Sequence, residues 1–281
     1  MSDDHKTNSE EITIIEPGAG HLLAKVAELW QHHELIYFLS LRDVKARYKQ
    51  TLLGPAWGLI QPVVTMLVFS LVFGRLANVP SDGVPYPIFS YAGLVPWTYF
   101  SDAIGGGGSS LISNSKLLTR IYFPRLILPL TSTLVPLVDF FASFVVLGIM
   151  MLWFEIIPSW RIVVLPLFLA FAFLTALSVS LWLSAINVVY RDIRYVLPFI
   201  RTTWLFLTPV AYPLSQVPEE LKLLYSINPM TAVVEGFRWA ILGTGELNPL
   251  TIGIGLSVVI VLFAGGIVFF NRTEAVFADL I

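Results

Sequence analysis

Six apolar runs, near residues 55–77, 87–111, 126–154, 163–189, 196–212 and 250–270, dominate this chain. A helix needs about 20 predominantly apolar residues to cross the hydrocarbon core of a bilayer, and each run approaches or exceeds that length. With 56% hydrophobic and 13% charged residues among 281, the chain is too apolar for an ordinary soluble domain. The fold expected is an all-α membrane protein of six transmembrane helices.

The loops between the runs alternate in charge. Arg42, Lys45, Arg47 and Lys49 precede the first run, Lys116, Arg120 and Arg125 follow the second, Arg191 and Arg194 follow the fourth, and Arg272 follows the sixth. The opposite side keeps Arg75, Arg161, Lys222 and Arg238, so the positive-inside tendency assigns both termini to the cytosol. The acidic start at Asp3 and Asp4 does not read as the basic opening of a cleavable signal peptide. The chain has no cysteine, which excludes a disulfide framework and a thiolate metal site, and its net charge of −2 says nothing about partners. Without an internal repeat, the chain divides into a cytosolic N-terminal arm, 1–50, and a transmembrane domain, 51–281.

Three segments exceed what a simple bundle requires. Residues 113–124 form a basic, amphipathic insert: Lys116, Arg120 and nearby Arg125 mark its side as cytosolic, while Leu117, Leu118 and Ile121 offer an apolar face at helical spacing. Such a handle implies a cytosolic partner. Before the first run, Tyr37, Leu41, Val44 and Tyr48 make one helical stripe beside a basic one of Arg42, Lys45 and Lys49, reading either as an interfacial amphipathic helix or as a solvated charged face. The basic stripe is suited to attracting an anionic lipid head group. From 213 to 243, Pro218 and two glutamates open a short helix, Asn228-Pro229 breaks it, and Met230 resumes it. Neither piece can cross, so a re-entrant helical hairpin between spans five and six, on the outer face, is expected. The glycine run 105–108 ahead of the basic insert is the least ordinary of the many Gly and Pro positions.

Catalytic and nucleotide chemistry is absent from the pattern. The run from Gly105 to Ser110 lacks the lysine of a phosphate loop, and the four histidines, His5, His21, His32 and His33, show no metal-ligand spacing. No cofactor or metal is expected on this chain, and nothing points to nucleic acid. Asp139, inside the third run, is either a functional carboxylate or a group paired within the bundle. Glu235 and Arg238, at i and i+3 in the hairpin, either support one helix or fasten an outer gate. Among many aromatic residues, Trp97, Tyr99, Phe100, Trp204 and Tyr212 are candidates for lining a conduit, where flat rings would slide along sugars, although most aromatics near span ends are interfacial anchors.

Five ordered motifs carry a resemblance over nearly the whole chain. They run from Leu41-Arg-Asp to Gln61-Pro62, from Gly93-Leu-Val-Pro-Trp to Phe100, from Ser113-Asn-Ser-Lys to Pro129, from Tyr190-Arg-Asp to Arg194, and from Asn228-Pro-Met to Arg238. Together they resemble the membrane subunits of type-two ABC exporters, specifically the O-antigen and related polysaccharide export permeases. The resemblance implies a homodimer in the bacterial inner membrane, paired with two copies of a separate ATPase subunit that binds ATP and Mg. The cargo implied is a polysaccharide carried on undecaprenyl diphosphate. The insert would be the coupling helix, with Ser115, Lys116, Leu117, Leu118, Thr119 and Arg120 docking in the ATPase, and Arg191 and Asp192 would lie in a second, smaller contact. The hairpin, with Asn228, Pro229, Glu235 and Arg238, would form a periplasmic gate.

Rival readings fit less well. An ABC exporter of a drug or small lipid shares the six-span layout but not the motifs around Gly93 and Tyr190. A membrane-embedded glycosyl- or acyltransferase needs clustered Asp, Glu or His at a membrane face. A purely structural scaffold gives no reason for a basic amphipathic insert in one loop only.

Overall fold

The computed structural model describes residues 29–49, 56–121, 123–190, 192–245 and 247–280. Among these residues all regular structure is helical. Helix α1 is His33–Tyr48, α2 is Ala56–Phe69 continued by a π-helical turn Ser70–Leu76, and α3 is Tyr86–Ser113. The four-residue α4, Ser115–Leu118, precedes α5, Ile127–Leu134, and α6, Leu137–Trp153. A 3-10 turn at Trp160–Val164 leads into α7, Leu165–Val189, and then come α8, Ile193–Phe206, α9, Glu219–Ile227, α10, Pro229–Ile241, and α11, Pro249–Leu280.

Helix α3 is the central post. It is apolar or small around most of its circumference, the pattern of a helix surrounded by others, and Ile88, Phe89, Tyr91, Phe100, Ile104 and Leu111 along it are fully buried. It packs against α2, α5, α6, α7 and α10. The outer helices keep apolar residues exposed: Val64, Leu67, Val68 and Leu71 on α2 and Phe141, Val145, Ile149 and Leu152 on α6 recur at helical spacing. Stripes this continuous are not sustainable in water and belong in lipid. Among the described residues, four helical stretches, Trp57–Leu76, Ile127–Trp153, Trp160–Val189 and Pro249–Glu274, are long and apolar enough to cross a membrane.

The expected runs differ from these helices in three places. The third run is broken where α5 meets α6 at Val135 and Pro136, because Pro136 lacks the N–H that would carry the ladder through. The fifth run is helical only over Ile193–Phe206; fourteen residues span about 21 Å, short of the roughly 30 Å core, and the chain goes on without regular helix to Pro213. In α1 the expected apolar stripe is only partly turned inward: Tyr37 is exposed, Leu41, Val44 and Tyr48 are half-buried, and Leu39 is the buried anchor.

The glycine run has a steric reason. A Cβ on Gly107 would run into Ser180 of α7, one on Gly108 would stand 3.1 Å from Leu183 Cβ, and one on Gly105 would stand 2.8 Å from Arg201 Nη1. The α3–α7 crossing depends on this bare surface, whereas Gly106 is exposed and a Cβ there would meet only ordinary contacts with Ser132. Gly107→Val should therefore lower the thermal stability of the detergent-purified protein by ~1–3 kcal/mol, the usual cost of overpacking. Gly106→Ala should be neutral or gain up to ~1 kcal/mol from helix propensity.

Candidate functional site

One end of the bundle gathers the helix termini and the basic insert. Arg42 donates to Asn114 Oδ1 at 2.7 Å, joining α1 to the insert, and Arg125 donates to the Glu274 carbonyl at 2.6 Å, joining the insert's far side to α11. On the insert itself Lys116, Thr119, Arg120 and Ile121 are exposed, Ile121 to 58%. Ser115, Leu117 and Leu118 are half-buried, and the two leucines pack against the subunit's own cluster around Leu111, Ile127 and Phe270. The apolar face expected of Leu117, Leu118 and Ile121 is thus divided: the leucines anchor the insert and Ile121 is left to the outside. The reason is local, since a four-residue helix is too short to keep a face independent of its support. Asp192 is exposed, and Arg191 lies outside the described residues.

Just inside this end four charged side chains meet. Arg47 Nη2 lies 2.9 Å from Asp102 Oδ2 on α3 and 2.9 Å from Asp139 Oδ2 on α6. The contact with Asp139 Oδ2 has no hydrogen-bond geometry and is Coulombic; the other carboxylate oxygen accepts from the Tyr48 hydroxyl at 2.5 Å. Arg201 on α8 donates to Asp102 Oδ1 at 2.8 Å and, through Nε, to Ser101 Oγ at 2.8 Å. Burial opposes the Arg47 charge, but Asp139 and Asp102 outweigh it and hold its pKa above the ordinary value. Burial, reinforced by the Asp139 hydrogen bond, raises the Tyr48 hydroxyl beyond the usual tyrosine range, so it stays a donor. Asp139 is therefore a group paired within the bundle, with α1 supplying its countercharge.

Two polar cavities flank the Arg47–Asp102 pair. The inner, about 110 Å³, is bounded by Tyr48, Trp57, Gln61, Thr98 and Asp139, and the outer, about 520 Å³, opens between α1, α3 and the α5–α6 break. Of the basic stripe on α1, Lys45 and Lys49 are exposed, and Arg42 is also held by Asp43 at 2.7 Å.

The opposite end is organised by Arg238, which is 1% exposed. Where α8 unwinds, its carbonyls lose their helical partners, and side chains take them one after another. Phe206 O accepts from the Tyr212 hydroxyl at 2.8 Å, Leu207 O from Asn228 at 3.3 Å, and Ala211 O from the Tyr86 hydroxyl at 2.5 Å. Arg238 serves Pro209 O at 2.6 Å, Val210 O at 2.6 Å and Tyr212 O at 3.4 Å, and still reaches Phe89 O at 3.3 Å and Glu235 Oε1 at 3.0 Å. The guanidinium lies 3.7 Å from the Phe89 ring centroid, and a Cβ on Gly93 would come within 2.8 Å of it. Asn228 caps α10 by accepting from Met230 N at 3.1 Å, accepts from Trp204 Nε1 at 3.0 Å and donates to Thr208 Oγ1 at 2.9 Å. Helices α9 and α10 thus meet at Asn228-Pro229 and are fastened to the end of α8.

The conduit candidates separate. Trp97, Tyr99 and Phe100 are buried in the subunit's own core, where Phe100 meets Trp204 edge to face at 5.0 Å and Tyr99 donates to Thr133 O at 3.3 Å. They pack the subunit and present no surface to a conduit. Trp204 and Tyr212 remain half-buried, the latter sharing a 2.9 Å hydrogen bond with Tyr225. Arg47, Asp102 and Arg201 went unnoticed as site residues in the sequence, although Asp102 and Arg201 each place an opposite charge inside an apolar run, a signal that the two pair.

These features define a multi-pass helical membrane protein with one charged hub near each end. A family model described as ABC-2 type transporter matches residues 34–242, and the chain belongs to that family. It is 33% identical over 260 residues to an O-antigen export system permease protein of Myxococcus xanthus, covering 90% of this chain and 98% of the relative. It is 24% identical to an O-antigen export system permease protein of Klebsiella pneumoniae, covering 88% and 95%, and 22% identical to a polysialic acid transport protein of Escherichia coli, covering 84% and 93%. The chain is accordingly a multi-pass protein of the inner membrane and a membrane subunit of a transporter.

Replacing Arg238 by Met should strand several buried carbonyls and the Glu235 carboxylate, costing ~3–5 kcal/mol in thermal unfolding of the purified protein. Glu235→Gln leaves the carbonyl contacts in place and should cost markedly less.

Proposed function

We propose that this chain is the permease subunit of an ATP-driven exporter that moves a lipid-linked cell-surface polysaccharide, of the O-antigen type, across the bacterial inner membrane. The observation that carries the reading is the 33% identity to an O-antigen export permease over 90% of this chain. In this reading the chain crosses six times, with α3 and the α8 segment completing the four apolar spans, and both termini face the cytosol. The α9–α10 pair is a re-entrant hairpin on the periplasmic side, in which Asn228, Pro229, Glu235 and Arg238 hold a gate to the end of α8.

Two copies form a conduit, and two ATPase subunits that bind ATP and Mg drive it. The insert is the coupling helix, with Lys116, Thr119, Arg120 and Ile121 as the docking residues and Ser115, Leu117 and Leu118 as their support. Asp192 belongs to the smaller second contact, as does Arg191. Movement of the insert reaches the bundle directly through Arg42 on Asn114 and through Arg47 on Asp102 and Asp139. The exposed Lys45 and Lys49 attract the anionic head of the lipid carrier at the inner leaflet, whereas Arg42 is taken up by Asp43 and Asn114. Trp204 and Tyr212 are the aromatics left for the conduit.

Deleting the gene should remove the polysaccharide from the cell surface while its lipid-linked form accumulates inside; unchanged surface polymer would refute the reading. Ile121→Asp combined with Lys116→Glu should abolish co-purification of the ATPase and export while leaving the permease folded. Leu117→Asp should instead lower the stability of the permease itself.

A further inference from the structure

The outer cavity and the small chamber behind it share the Arg47–Asp102 pair as a common wall, and their chemistry is selective. In the outer groove each guanidinium has its carboxylate: Arg42 with Asp43 at 2.7 Å and Arg47 with Asp102 at 2.9 Å. A phosphate or an acidic peptide would need uncompensated positive charge, and a metal cation uncompensated negative charge. The groove offers neither. It offers donors and acceptors side by side, completed by Ser109, Ser113, Ser132 and the Asn114 amide. Val135 and Pro136 are the aliphatic side chains of its lining, set among charged and hydroxyl groups. The ligand that satisfies alternating donors and acceptors without net charge is a polyhydroxyl compound, and about 520 Å³ lies within the range of ligand-sized sites.

The inner chamber strengthens the assignment. Asp139, 6% exposed, borders it, with its carboxylate held by the Tyr48 hydroxyl and the Arg47 guanidinium. Trp57 and Tyr48 add aromatic faces, and Gln61 and Thr98 further polar groups. At about 110 Å³ the chamber has room for roughly three waters behind the Arg47–Asp102 pair. On the groove side Gly106 is exposed although packing does not require a glycine there, so the wall of α3 stays clear.

We infer that the groove between α1, α3 and the α5–α6 break is a saccharide-binding site, which holds an uncharged stretch of the polymer at the coupling end of each subunit. This rests on the polysaccharide export reading and adds to it a place where sugar is held within one subunit. The Arg47–Asp102 pair is the floor of the groove, so a bound sugar is in contact with the same network that ties α1 to α3, α6 and α8.

The chain has no cysteine, so single cysteines report cleanly. Ser113→Cys and Ser132→Cys in the groove, and Arg272→Cys outside it, are labelled with a maleimide in inside-out membrane vesicles. Vesicles come from cells making the lipid-linked polymer and from cells lacking the glycosyltransferase that builds it. The polymer should slow labelling at Ser113 and Ser132 severalfold and leave Arg272 unchanged. Equal rates at the groove positions would overturn the assignment, as would equal slowing at all three. Adding unsubstituted polyprenyl diphosphate to the polymer-free vesicles should give no protection; protection there would assign the groove to the lipid diphosphate and overturn the saccharide site. Persistence of surface polymer in the deletion strain would overturn the transport reading itself, whereas its loss without cysteine protection overturns only the groove.

Discussion

A backbone that leaves its helix inside an apolar bundle must find a partner for every carbonyl it frees, and the stretch from Phe206 to Tyr212 does so almost entirely with side chains. The Thr208 carbonyl accepts from Val210 N, and the other six are served by Tyr212, Asn228, Tyr86 and Arg238. Unpaired, each would cost about 1–3 kcal/mol, so an unwound α8 without this ring of donors is not a stable option. Arg238 suits the task because its planar fork presents five donors, while the Glu235 carboxylate balances its charge and the Phe89 ring lies against its face. The α9–α10 pair is therefore not an appendage. It is the element that allows α8 to end early.

The other hub solves the same problem for a different purpose. Asp102 and Asp139 lie in helices otherwise built for lipid or core, and their countercharges come from elements that flank the bundle, Arg47 from α1 and Arg201 from α8. A surface helix is thereby bound into the interior by Coulombic attraction as well as by Leu39. Since α1 also grips the insert through Asn114, whatever displaces the insert strains the network. In the proposed exporter, a rigid connection of this kind would carry the drive of an external ATPase inward, and it places the groove where such movement would be felt.

How far the sequence discloses this depends on which partner a residue uses. The α9–α10 boundaries were legible because Pro218 and Asn228-Pro229 are local signals, and the structure ends and restarts the helices there. The i, i+3 spacing of Glu235 and Arg238 was legible too, but the main work of Arg238 is on carbonyls, and backbone acceptors leave no trace in side-chain identity. The glycine run stood out, yet its cause, the approach of Ser180, Leu183 and Arg201, belongs to distant segments. Trp97, Tyr99 and Phe100 lie in the subunit's own core, which periodicity does not distinguish from a lining on a helix as apolar around its circumference as α3. Leu117 and Leu118 carry a related ambiguity: an amphipathic pattern tells that a face is covered, not by what.

The central claim, that this subunit carries lipid-linked polysaccharide under the drive of an external ATPase, is tested most directly by transport in a defined membrane. Proteoliposomes containing the permease and its ATPase, loaded with lipid-linked polymer on the ATP-accessible face, are sampled with a glycosidase confined to the opposite face. Polymer should become susceptible to the enzyme only when ATP is supplied, and vesicles with the ATPase alone should show none. Susceptibility that is independent of ATP, or that appears without this chain, would contradict the account.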